Sequence, residues 1–333
     1  MIQKKKCAQA VILSALVLLL CGCASDKQTR QYAYPLATAS PEDTVTQLYA
    51  EKFAEEAERL SGGSIQIQVY ANSVLGGDRE LLESCYDGDI PFVVQNTAPQ
   101  VNFVPDTAVF DIPCQFDDLE DVRATVDDPV FFEEMQKSYR EAGYELLGYA
   151  DQGFRVMSTN KKIDNFRDFK GQKIRTMENS YHIQFFKALG ANPTPMNFSE
   201  VYIGLQQNTI DAQENPYEVI ASNRLYEQQK YVVDTNHLPH LISLIVSEEF
   251  YEQLSAKEQA ILREAQQSAC DYARKEADLR INDRKEEIED SGTQILEVSD
   301  ETWSQMKKAA EPVKEEIQKN VSEKIIKSYV KNS

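Results

Sequence analysis

A two-domain α/β fold is predicted for this 333-residue chain by three observations. Helical stripes of apolar residues alternate with short strand-like runs, glycines and capping residues punctuate the connections, and the length at about 150 residues per domain calls for two cores. With 42% hydrophobic residues the chain can fill them. It carries 54 Asp plus Glu against 35 Lys plus Arg, a net charge of -19. That field repels nucleic-acid phosphates and anionic membrane surfaces.

The N-terminus stands apart. Lys4, Lys5 and Lys6 precede an apolar run from Ala10 to Leu20 broken only by Ser14, about half of the roughly 20 residues that a membrane span needs. Residues 1–22 therefore read as an export signal. The run closes on Leu20-Cys21-Gly22-Cys23, which resembles the lipobox of bacterial lipoproteins. Cleavage before Cys23 and acylation of its thiol are expected, with residues 23–31 as a polar tether outside the cytoplasmic membrane. The three lysines leave with the signal, so the exported part is more acidic than the whole. Cys85, Cys114 and Cys270 remain, an odd and widely spaced set that is neither a disulfide framework nor a zinc motif. Buried thiols are expected, a Cys85 to Cys114 bridge staying open.

The elements follow in order. Ser40-Pro41-Glu42-Asp43 reads as an N-cap, a first-position proline and first-turn acids, ahead of a face of Val45, Leu48, Tyr49, Phe53, Ala57 and Leu60 that Gly62-Gly63 ends. Ile65, Ile67 and Val69 alternate with glutamines as a half-buried strand. After Gly76-Gly77, Asp78 to Tyr86 is helical, and Ile90 to Val94 a strand buried on both faces. This βαβ spacing predicts a mostly parallel sheet. The grammar repeats with strands at Phe154 to Met157 and Lys173 to Thr176, a short helical turn at Phe166 to Phe169, and a helix from Tyr181 to Leu189. A helix capped by Ser199 follows, then a strand from Thr209 to Ala212. Ser255 to Glu258 forms a capping-box pattern opening a long helix that reaches Arg280 or beyond.

Catalytic constellations are missing: there is no GxSxG, P-loop, GxGxxG after a strand, HExxH or CxxC. His237 and His240, three apart, could share one side of a turn, but Leu238-Pro239 between them argues against a helix and no third ligand is near, so no metal and no cofactor is expected. What stands out is arginine inside apolar strand sequence, Arg155 between Phe154 and Val156 and Arg175 between Ile174 and Thr176. A guanidinium there must either pair with one of the many carboxylates or clamp an anionic ligand at a strand end.

Residues 191–218, running from Ala191-Asn192-Pro193 through Asn215-Pro216-Tyr217-Glu218, resemble the signature of the DctP-type solute-binding proteins of tripartite ATP-independent periplasmic (TRAP) transporters. Gly153-Phe154-Arg155, Phe169 to Arg175, Gly190 to Pro195, Leu75-Gly76-Gly77 with Glu80, and Val104-Pro105 match in order and spacing. The resemblance implies a two-domain, class II-type periplasmic-binding-protein fold with a hinge and a long domain-spanning helix. Residues 32–152 plus about 241–280 would form the first domain, and 153–240 plus about 281–333 the second. It implies that Arg175 and Asn215 hold a carboxylate, that Arg155 is a second ligand arginine and that Phe198 packs over the substrate. Gln95 and Asn96 would face the ligand from the first domain, and Ser40 with Pro41 would border the cleft. Asn96 departs from related sialic-acid binders, which carry an acid there. Glu178 is a second departure, placed to accept from sugar hydroxyls or to neutralise an arginine. The implied function is capture of an organic acid, a hexuronate-like sugar acid or else a C4-dicarboxylate, by a monomeric, lipid-anchored binder that serves the small and large TRAP permease subunits. A binder for an ATP-driven transporter or a sensor, and an enzyme on the same scaffold, are the competing classes.

Overall fold

Residues 33–331 are described by the structure, a computed structural model. The export signal, Cys23 and the tether lie outside the described residues.

The strands are β1 (Tyr34–Ala37), β2 (Ile67–Tyr70), β3 (Phe92–Asn96), β4 (Tyr144–Thr159), β5 (Lys173–Thr176), β6 (Asn192–Pro195), β7 (Ala212–Asn215), β8 (Tyr231–Ser247) and β9 (Gln294–Glu297). The helices are α1 (Val45–Ser61), α2 (Asp78–Tyr86), α3 (Leu119–Val126), α4 (Pro129–Glu141), α5 (Ser180–Ala188) and α6 (Val201–Gln206), then α7 (Tyr217–Ser222), α8 (Glu248–Gln253), α9 (Ala256–Asp290), α10 (Asp300–Asn320) and α11 (Glu323–Lys331). The strands join in the order β2-β1-β3-β8-β4-β7-β5-β6, with β9 on β8. The sheet is mixed, not mostly parallel as the βαβ spacing predicts. β1 runs parallel to β2 and β3, β5 to β6 and β7, and β9 to β8, but β4 and β8 are antiparallel to each other, β8 to β3 and β4 to β7.

β4 and β8 carry the chain through both halves of the molecule. Tyr144 to Asp151 pairs with the end of β8 that also pairs with β3, and Val156 to Thr159 pairs with β7. At the crossing the register slips between Asp151 and Phe154, so that Gln152 and Gly153 stand against His240, and again between Arg155 and Met157. Gly153 takes a φ of 91°, which only glycine adopts without strain. Such bulges bend a strand pair and re-aim its side chains.

Apolar side chains gather on both faces of each half. Leu36, Tyr49, Phe53, Phe92, Leu262 and Ala269 form one cluster, so the start of α9 packs on α1. Ile288, near the other end of this 35-residue helix, packs with Val156, Leu205 and Val232 of the second half. At 1.5 Å per residue α9 is about 50 Å long, enough to brace both halves. The C-terminal segment departs from the implied boundary, which placed residues from about 281 to 333 in the second domain. Met306 and Ala310 pack there beside Phe169 and Phe185, but Val313, Ile317, Ile325 and Tyr329 pack with Phe110 and Phe131 of the first half. Pro312 inside α10 sits between the two sets of contacts.

Three local expectations give way to tertiary structure. The N-cap of α1 is Thr44, not Ser40; Asp43 takes a left-handed φ of 56° and is held by Arg280 and Arg284, so the helix begins only at Val45. Ser199 lies inside a 3-10 turn, Phe198–Glu200, and caps nothing. Thr209 and Ile210 are not strand, because their amides donate to the Gly204 carbonyl and close α6; β7 begins at Ala212. Cys85, Cys114 and Cys270 are buried free thiols.

Candidate functional site

The carboxyl ends of β1, β3, β5 and β7 face one crevice, the position where open α/β sheets place ligands. A cleft of ≈ 380 Å³, its open mouth included, is lined there by Ser40 and Pro41 after β1, Asn96 on β3, Arg175 and Met177 at β5, Phe198, Asn215 on β7, His240 on β8 and Asp78 at the start of α2. Of the residues singled out in the sequence, the cleft thus gathers Ser40, Asn96, Arg175, Phe198 and Asn215.

Arg175 is 1% exposed. Its Nε and Nη2 donate to the Met196 carbonyl at 2.9 and 2.6 Å, and Nη1 has no hydrogen-bond partner among the described residues. The guanidinium lies 5.8 Å from the Phe198 ring centroid, a cation–π distance. No carboxylate is within ion-pair distance of it among the described residues. Burial lowers Arg175 to about 10, with Glu214 and Asp78 drawing it upward and Arg155 opposing them. The group stays charged at neutral pH, and a buried charge without a counterion costs several kcal/mol. Asn215 is preset beside it: Oδ1 accepts from Arg155 Nη2 at 3.2 Å and Nδ2 donates to Gln213 Oε1 at 2.6 Å, which leaves one amide hydrogen for a ligand.

Arg155 lies beneath the cleft, also 1% exposed, and is not among the cleft-lining residues. Its guanidinium grips Glu214 through Nε at 2.5 Å and Nη2 at 2.9 Å, and its Nη1 faces His240 Nδ1 at 2.5 Å. Glu214 also meets His237 Nε2 at 3.2 Å and His182 Nδ1 at 3.7 Å. Burial alone would raise Glu214, but Arg155 and these histidines hold it well below the usual carboxylate range. His182 Nε2 lies 2.9 Å from Asp111 Oδ1. Burial would depress this imidazole, yet Asp111 and Glu214 outweigh it and push it up to about 9. Arg155 and His182 thus face two carboxylates, and Arg175 above them is the cation left over.

The His182 shift makes a pH prediction. Its folded value lies above the ordinary 6.5, so the stabilisation is complete below about pH 6.5 and is lost as pH rises through 9, a change of roughly 3 kcal/mol. Urea unfolding followed from pH 6 to 9.5 should show this decline, and His182→Gln should be less stable at pH 6 and nearly flat across the range. A wild-type curve without slope would mean that His182 is neutral in the fold.

Gln95 and Glu178 take supporting places. Gln95 Nε2 reaches the Asp78 carboxylate and carbonyl at 3.4 and 3.5 Å from behind. Glu178 lines a recess next to the cleft and pairs with Arg79 Nε at 2.9 Å, while its carbonyl accepts from Asn102 Nδ2 at 2.7 Å. This exposed pair is worth at most about 1 kcal/mol, but it ties the loop after β5 to α2 across the mouth. Asn96 holds its own loop, donating to the Leu241 carbonyl at 2.9 Å and accepting from the Ala98 amide at 3.0 Å. Two polar cleft residues were not read as ligand-facing in the sequence, Asp78 and His240. Burial pushes the Asp78 carboxyl up to about 6, against the pull of Arg175 and Arg155. Its position directly after Gly76-Gly77, at a helix start, was the available signal.

Residues 36–320 match the model of the DctP family, described as bacterial extracellular solute-binding protein, family 7. The ectoine/5-hydroxyectoine-binding periplasmic protein UehA of Ruegeria pomeroyi is 31% identical over 316 residues, 91% of this chain and 88% of its own. A TRAP periplasmic solute-binding protein of Bordetella bronchispeptica, its ligand density assigned as pantoate, superposes with a TM-score of 0.85 at 34% identity, covering 91% of this chain and 100% of the other. A TRAP periplasmic solute-binding protein of Polaromonas bound to D-erythronate gives 0.84 at 31% identity, covering 89% and 98%.

Proposed function

The chain belongs to family 7 of the bacterial extracellular solute-binding proteins, the DctP family, whose members bind transport substrates and do not convert them, and from that membership we propose that it captures a hydroxylated monocarboxylate of the sugar-acid type and delivers it to a TRAP permease. The observation that carries this reading is Arg175, a buried cation at the wall of a cleft with no counterion among the described residues. A ligand carboxylate at Nη1 and the free Asn215 amide hydrogen supplies the missing charge, with Phe198 over its carbon skeleton. Asp78 and Asn96 offer acceptors and donors for hydroxyl groups. The relatives' pantoate and D-erythronate have this make-up. A C4-dicarboxylate anchored by two arginines fits less well, because Glu214 already neutralises Arg155.

In this reading the bulged crossing of β4 and β8 serves as the hinge, closure dries the cleft, and the permease reads the closed form and drives uptake by an ion gradient. Acylated Cys23 would hold the protein at the membrane as a monomer; Cys23→Ala leaving the chain in the membrane fraction would refute the anchor. The ligand class is tested by scanning fluorimetry against an organic-acid library. A hundredfold excess over Kd adds about 2.7 kcal/mol of apparent stability, a shift of several degrees. Hydroxylated monocarboxylates should give the largest shifts, and a preference for succinate would restore the dicarboxylate reading.

A further inference from the structure

We infer that His240 is a ligand-binding donor: its Nε2–H, opening beside the Asn215 amide, selects carboxylates that carry an oxygen on the carbon next to the carboxylate, that is, 2-hydroxy and 2-oxo acids. The inference rests on the carboxylate reading of the cleft.

His240 lines the cleft, is 4% exposed, and its Nε2 is buried without a hydrogen-bond partner among the described residues. The other ring nitrogen decides what Nε2 can do. Arg155 Nη1 faces His240 Nδ1, and a guanidinium N–H only donates, so Nδ1 must accept and the ring proton resides on Nε2. The imidazole stays neutral, since burial and then the positive charge of Arg155 hold it far below its usual range. His240 is therefore a fixed neutral donor, unable to attract an anion by charge but costly to leave unpaired once the cleft closes.

The same guanidinium places that donor. Arg155 donates through Nη1 to His240 and through Nη2 to Asn215 Oδ1, so both side chains are anchored on the two ends of one planar fork. With both side chains hung on the same fork, the imidazole N–H is assigned to the carbon next to the carboxylate that the Asn215 amide receives. A hydroxyl or carbonyl oxygen there accepts the proton; a methylene leaves Nε2 unpaired, and sites built around a polar partner discriminate strongly against its absence. Arg155 acts in this as a positioning residue.

The test pairs D-erythronate, pantoate and D-galactonate with their 2-deoxy counterparts in titration calorimetry. The wild type should prefer the 2-hydroxy member at least about tenfold, the factor of one ordinary hydrogen bond. His240→Phe should collapse that ratio, read within the variant, towards one, and His240→Gln, which can accept from Arg155 and donate to the ligand, should restore part of it. Nitrogen-15 NMR of the wild-type protein, independent of any variant's folding, should show His240 as the neutral Nε2–H tautomer. Equal binding of both members by a chain that binds carboxylates, or an Nδ1–H tautomer, overturns the role of His240 and leaves the carboxylate reading standing. A chain that binds no carboxylate overturns both.

Discussion

Arg175→Ala should lower the affinity for the bound acid at least tenfold in titration calorimetry, while the unfolding midpoint of the ligand-free protein should change little. A charge-assisted hydrogen bond contributes about 1.5 to 3 kcal/mol, equivalent to roughly ten- to more than a hundredfold in Kd. The second half of the result separates a ligand clamp from a structural cation. Without ligand, Arg175 has, among the described residues, only the Met196 carbonyl and no counterion, so its removal forfeits two hydrogen bonds but also ends the cost of a buried, unbalanced charge. Arg175→Lys should rescue little, because a point charge lacks the planar fork that meets a carboxylate with parallel bonds. Unchanged affinity in either variant would remove Arg175 from the site.

Where local sequence decides the structure, the chain is readable. β5 occupies Lys173–Thr176 and α2 Asp78–Tyr86, the residues expected, because strand pattern, glycine turns and first-turn acids all act within one element. Of the two longest strands, β4 was legible only in the fragment Phe154 to Met157 and β8 not at all. β4 contains Gly148, Asp151, Gly153 and Arg155, and β8 contains His237, Pro239 and His240, so neither shows the alternation of a half-buried strand. Their polar residues are tolerated because distant groups meet them, Arg123 for Asp151, Glu214 for Arg155 and His237, and Arg155 for His240 Nδ1, an arrangement that exists only after folding. The same applies to the site. A strand arginine announces that it needs a partner, but among 54 acids the sequence does not single out Glu214, 59 positions away. His240 looked like half of a failed metal pair; its chemistry is set by a guanidinium 85 residues earlier.

Glu214→Leu should destabilise the fold by about 3 to 5 kcal/mol, the largest stability loss expected of any single substitution in this network. It strands Arg155 without its carboxylate and removes the partner of His237, both in the interior. Arg155→Met should cost a comparable amount by leaving Glu214 in excess. Together, Arg155→Met with Glu214→Leu removes both charges, and buried ion pairs replaced by apolar groups of similar volume are often neutral, so the double variant should regain most of the loss in urea unfolding. Strictly additive single costs would mean that the two residues do not act as a unit. The double variant also divides the labour of the two arginines. Arg175 keeps its place on β5, so a carboxylate should still bind, though more weakly because Asn215 has lost the Arg155 anchor on Oδ1. His240 loses the donor that fixes its tautomer, and with it the preference for an oxygen beside the carboxylate should fade. Arg175 would then supply the affinity for the acid, and Arg155, through its buried fork, the choice among acids.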